Sequence, residues 1–119
     1  MGAPVSKAIR KDWFHCPAEE LERWLPQLLE NMRYTDIQVK GASRKATANA
    51  KEKVTLPNGT VELTAEVLIT WTEQSDGLTF IVTVQEPKFE WTACLCNRIC
   101  DNILGAMRTI AEIYHGRDL

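Results

Sequence analysis

Residues 91–115, WTACLCNRICDNILGAMRTIAEIYH, decide how the rest of the chain is read. Projected at about 100° per residue, Leu95, Ile99, Ile103, Ile110 and Ile113 share an arc with Cys96, Cys100, Leu104, Ala106, Met107, Ala111 and Tyr114, while Arg98, Asp101, Asn102, Arg108, Thr109 and Glu112 fall outside it. The spacing predicts one long amphipathic helix. Its apolar arc spans about half the cylinder, wider than the ~100° stripe of an ordinary surface helix, so the expected seat is a concave sheet that touches the helix on both flanks.

The sheet is legible immediately upstream. Val61, Leu63, Ala65, Val67, Ile69 and Trp71 alternate with Glu62, Thr64, Glu66, Thr70 and Thr72, and after the turn signal Asp76-Gly77 the alternation continues through Leu78, Phe80, Val82 and Val84. Before them, Leu56-Pro57-Asn58-Gly59-Thr60 is a hairpin turn, and a tight hairpin needs an arm of matching length on its other side. Only residues 44–56 supply it. Their alanines and lysines are good helix formers, but the turn decides for a strand with Ala42, Ala46, Ala48 and Ala50 on the inner side and Lys45, Thr47, Asn49, Lys51 and Lys53 on the outer, bent near Gly41.

The first forty residues are less regular. Ala8 to Cys16 reads as a short strand with poor alternation. Pro17, Glu19 and Glu20 open a helix carrying Leu21, Trp24, Leu25, Leu28 and Met32, in which Pro26 is expected to force a kink or restart near Leu25. Ile37 and Val39 are then extended. The expected fold is a single α+β domain over residues 1–119, frayed over 1–7, with element order β-α-β-β-β-α. It is an antiparallel meander of three or four strands with both helices on one face and the C-terminal helix gripped by the sheet. This layout resembles that of small helix-grip domains, a comparison of architecture alone.

Composition bounds the function. With 119 residues, 45% hydrophobic and 25% charged, the chain supports one real core. No apolar run is long enough to span a bilayer and no secretory core opens the sequence, which leads to the expectation of a soluble intracellular, cytoplasmic protein. A net charge of −2 excludes a globally basic nucleic-acid binder. The start Met-Gly with Ser6 is compatible with N-myristoylation, against which stands an unmodified terminus.

Chemistry-bearing groups do not converge. Cys94 points about 200° from Cys96 on the helix, so Cys94, Cys96 and Cys100 cannot meet at one ion, and the paired ligand spacing that would add Cys16 or His15 is absent. Reduced structural thiols are expected, with no metal and no cofactor. His15 and Cys16 are sequence neighbours that point apart in an extended chain, and His115 belongs at a helix end beside the cap residue Gly116. No catalytic residue is assigned and no enzyme is expected. Two surfaces remain. Lys45, Lys51 and Lys53 form a candidate binding strip for an acidic or phosphate-rich partner, although Glu62 and Glu66 on the facing arm are expected to neutralise it. Ala46, Ala48 and Ala50, with Ile99, Ile103 and Met107 opposite, are candidate lining of a cavity between sheet and helix. The first expectation is therefore a small non-enzymatic binding or adaptor domain acting through a protein partner, with a monomer favoured. The alternatives are a carrier of a small apolar ligand between sheet and C-terminal helix, or weak nucleic-acid or acidic-partner binding through the basic hairpin.

Overall fold

The computed structural model of the protein describes residues 6–15, 17–75, 77–86 and 93–117. Strand β1 (Ser6–Phe14) is followed by helix α1 (Ala18–Asn31), strand β2 (Thr35–Lys40), a 3-10 turn (Gly41–Ser43), strands β3 (Lys45–Leu56), β4 (Gly59–Gln74) and β5 (Gly77–Glu86), and helix α2 (Ala93–Arg117). The five strands form one antiparallel sheet in the order β1-β5-β4-β3-β2. The meander is as expected. It is wider than expected because β1 joins as a full edge strand and because the 3-10 turn separates β2 from β3 instead of merely bending one arm.

Register explains why one face is buried throughout. Ala46, Ala48 and Ala50 lie opposite Ile69, Val67 and Ala65, and Ile69 and Val67 lie in turn opposite Val82 and Val84. These side chains are at most 4% exposed and join Leu21, Leu25, Leu28 and Leu29 of α1 and Cys96, Ile99, Cys100, Ile103 and Met107 of α2 in one hydrophobic cluster. Both helices therefore cover the same face. The β3–β4 turn residues are Pro57 and Asn58, since Leu56 pairs with Gly59, whose φ of 140° lies where only glycine is unstrained. Gly77 has a different reason to be glycine: a Cβ there would stand 2.4 Å from the Phe14 carbonyl oxygen and 2.9 Å from the Trp13 ring.

Helix α1 runs as one element through Pro26 rather than restarting there. The proline removes one backbone bond, and buried Leu21 and Leu25 on one side with Leu28 and Leu29 on the other hold both halves to the core. Its C-terminus closes in a Schellman arrangement. Arg33 adopts φ 65°, its N–H donates to Glu30 O at 2.8 Å, and the Tyr34 N–H donates to Leu29 O at 3.2 Å.

Helix α2 fills its seat over a narrower arc than its composition implies. The buried residues Cys96, Ile99, Cys100, Ile103, Leu104, Met107 and Ala111 span about 140°. Ile113, about 120° from the centre of that seam, is 54% exposed. The expectation for Ile113 is corrected because the helix lies nearest β1 and β5 and leaves its flank to solvent. Leu95, Tyr114 and His115 have side chains outside the described residues, as do Trp91 and the Met-Gly start altogether. Gly105 sits in the middle of the helix with nothing within 4 Å of a Cβ built on it. Gly105→Ala is expected to raise stability by about 0.5–1 kcal/mol, read as a higher urea midpoint at unchanged slope.

Candidate functional site

The interior floor is built by β3 and β4, because α2 lies nearest β1 and β5 while α1 lies nearest β2. On that floor stand Ala46, Ala48, Ala50 and Ala65, all of them buried. The candidate lining residues are brought into one cluster: Ala46, Ala48 and Ala50 on the sheet and Ile99, Ile103 and Met107 on α2, all 0–4% exposed. These side chains are closed off from solvent, so a guest would enter by displacing neighbours. Ala42 does not belong to the floor. It is exposed in the 3-10 turn, because the turn ends the strand's alternation before it reaches that position.

Two polar atoms interrupt this interior. The indole Nε1 groups of Trp24 on α1 and Trp71 on β4 are buried without a hydrogen-bond partner. Trp71 is 3% exposed, beside Phe80 across the β4–β5 ladder. A buried donor left unpaired costs about 1–3 kcal/mol, and folded proteins pair nearly all of them. Sequence periodicity placed Trp71 in the core correctly, whereas Trp24 is only partly buried and packs against it; periodicity carries no information about where an indole N–H points.

Strand β1 explains its own poor alternation. Arg10 and Asp12 occupy the inner side, opposite Val82 and Phe80, and are matched by polar groups of α2. Arg10 donates to Asn97 Oδ1 at 2.7 Å and lies 3.4 Å from Asp101 Oδ1, while Arg108 bonds Asp12. This seam fixes the outer flank of α2 to the edge strand. The partially exposed pairs contribute mainly register, since such pairs are each worth about 0–1 kcal/mol.

Cys96 and Cys100 are buried thiols; Cys16 and the Cys94 side chain are outside the described residues. The Cys100 thiol reaches the carbonyls of Ala8 at 3.5 Å and Val82 at 3.6 Å. Burial pushes it from 9.0 up to about 11, with Arg10 pulling the other way. The sign follows directly. An unfolded chain releases this proton near 9 and the native chain near 11, so the contribution to stability is complete below pH 9 and fades as pH rises toward 11. Alkylation of Cys100 by iodoacetamide at pH 8 is expected to be about a hundredfold slower in the native protein than in urea, measured by peptide mass spectrometry. Among the described residues no three His, Cys, Asp or Glu groups are placed to hold a metal ion. No helix there is long and apolar enough to cross a membrane.

The lysine strip is divided by the register. Lys53 lies opposite Glu62 and Lys51 opposite Thr64, with Glu62 and Glu66 on its diagonals, whereas Lys45 lies opposite Thr70 and Lys40 at the far end of the arm. Lys45 and Lys53 are separated by about 25 Å of strand, so the three lysines do not form one patch. The outer face also carries exposed apolar side chains, Ile9 at 52%, Trp13 at 43% and Ile81 at 39%.

No protein-family model matches the chain, and no curated protein matches it. Among solved structures, the di-domain ARO/CYC StfQ from the steffimycin biosynthetic pathway aligns with a TM-score of 0.53 at 8% identity, over 95% of this chain and 52% of that one. The chain thus spans about half the length of that protein. A Deinococcus radiodurans protein aligns with a TM-score of 0.38 at 17% identity over 83% of this chain and 98% of its own. A Thermus thermophilus protein aligns with a TM-score of 0.34 at 12% identity over 85% of this chain and 86% of its own. The likeness to the ARO/CYC protein is one of fold, and it identifies the architecture as that of a helix-grip domain: a single α+β unit in which an antiparallel sheet holds a long C-terminal helix.

Proposed function

We propose that this domain binds a small, planar, apolar ligand carrying a hydrogen-bond acceptor, held between the sheet and its two helices. The observation that carries this reading is the pair of buried, unpartnered indole donors of Trp24 and Trp71 in an interior whose floor is otherwise alanine and aliphatic. A ligand carbonyl or hydroxyl offers the acceptor that a purely aliphatic core lacks, and the alanine floor is where a flat ring displaces least volume. Likeness to an ARO/CYC domain supports the architecture of such a site and leaves the chemistry to this chain's own residues. Binding is the activity proposed, since the two indole groups can donate to a ligand acceptor and offer neither a nucleophile nor a proton acceptor.

The test compares two ligands of one shape. 2-Acetylnaphthalene is expected to quench tryptophan emission saturably and to bind about tenfold more tightly than 2-ethylnaphthalene, which lacks the acceptor. Trp71→Phe, which keeps an aromatic ring and deletes the N–H, is expected to erase that difference while retaining the fold by circular dichroism. Equal affinity of the two ligands for the native protein, or no saturable binding of either, would overturn the reading.

A protein partner is the second reading, supported by the exposed Ile9, Trp13 and Ile81 on the outer face. A Trp13→Ser variant that keeps every interaction of the native chain would remove that support.

A further inference from the structure

The outer face of the sheet holds a cleft of about 500 Å³ that the interior site does not use. Its construction follows from the register. Thr47, Leu68 and Thr83 lie side by side across β3, β4 and β5 and form its base. Further along the arm Asn49 and Glu66 lie opposite each other; in the other direction Lys45 of β3 stands opposite Lys40 of β2. A bulge in β2 completes the acidic end. The pairing shifts between Thr35 and Gln38, Asp36 adopts φ 53°, and its carboxylate accepts a 2.8 Å hydrogen bond from Asn49 Nδ2. A second lobe of about 190 Å³, lined by Gln38, Lys40, Lys45 and Thr47, continues the cleft at the basic end.

The charges are therefore segregated. Two carboxylates, Asp36 and Glu66, flank Asn49 at one end, and two ammonium groups face each other across the strands at the other, about 13 Å away by four strand residues. Like charges directly opposite one another on a sheet are unfavourable, and among the described residues neither lysine and neither carboxylate has an ion-pair partner. The base between the ends is hydroxyl and aliphatic.

We infer that this outer cleft binds a short linear zwitterion, its ammonium between Asp36 and Glu66 and its carboxylate in the lobe between Lys40 and Lys45. Such a ligand places opposite charge at both ends at once and lays an uncharged middle over Leu68. The Thr47 hydroxyl and Gln38 amide supply additional donors to the carboxylate. A simple anion satisfies one end only. An amino carboxylate with ends about 10 Å apart, the length of a tripeptide, fits the spacing.

Triglycine is the probe, titrated into the 119-residue protein and followed by amide proton–nitrogen NMR. Saturable shifts are expected at Thr47, Asn49, Leu68 and Thr83, and N-acetyl-triglycine and triglycinamide are each expected to bind about tenfold more weakly. The exposed substitutions report the two ends separately. Glu66→Gln should reduce the preference for the free amine, and Lys45→Gln the preference for the free carboxylate. Absence of saturable shifts at tens of millimolar triglycine, or blocked peptides that bind as well as the zwitterion, would overturn the inference.

Discussion

A chain that ends at residue 90 is expected to show no cooperative unfolding transition. Helix α2 contributes Ile99, Ile103, Leu104 and Met107 to the core, each at most 7% exposed, together with Cys96, Cys100 and Ala111. Fully burying one aliphatic side chain of this size is worth about 1.5–3 kcal/mol. The loss is larger than the helix alone, because Ala8, Val82 and Val84 of the strands beneath it return to water at the same time. Against a net stability of about 5–15 kcal/mol, nothing cooperative should remain. Thermal scans by circular dichroism and by tryptophan emission decide this. Coincident sigmoidal transitions in the truncated chain would contradict the gripped-helix account.

Phe80→Ala is the single substitution with the largest expected cost, about 3–5 kcal/mol. Phe80 is 0% exposed in the central layer of the sheet, lies opposite Trp71 on β4, and packs on Phe14 with ring centroids 5.1 Å apart at 46°. Three aromatic side chains thus share one corner of the core, and truncating the middle one leaves a void that the other two rings are too stiff to fill. Urea denaturation followed by far-ultraviolet circular dichroism measures the change. A cost below about 1 kcal/mol would mean that this corner is loosely packed. Phe80→Leu, which keeps much of the volume, should recover part of the loss.

The hairpin arms and α2 were legible because each buries one clean face, so period 2 and period 3.6 survive in the sequence. Strand β1 was blurred by Arg10 and Asp12, which point inward to meet Asn97, Asp101 and Arg108. A polar residue facing the core side is readable only when its partner, some ninety residues away, is known. Ile113 failed for the converse reason: helical phase states which residues share an arc and not how far around it the sheet reaches. Pro26 was expected to interrupt α1, and the leucines on both sides outweigh one lost hydrogen bond. The alanine floor was found from alternation once the hairpin turn at Pro57-Asn58-Gly59 had decided for a strand over a helix. Its meaning depends on two indole nitrogens and on which strands the helices leave between them, and both are properties of the third dimension. The outer cleft was hidden for a similar cause: alternation places Asp36 on the outer side of β2, but the pairing of β2 with β3 that sets its carboxylate beside Asn49 is not written in either strand alone.

The central claim is that the interior between sheet and helices accepts a flat apolar guest. Methyl-resolved NMR on protein labelled at alanine and isoleucine methyl groups, with saturating 2-acetylnaphthalene, tests it most directly. The account predicts intermolecular nuclear Overhauser contacts from the ring protons to the methyl groups of Ala48, Ala50 and Ala65 and to Ile103, together with a downfield shift of the Trp71 indole proton. Contacts confined to Ile9 and Ile81 on the outer face, with the interior methyl groups and the Trp71 indole unchanged, would contradict it.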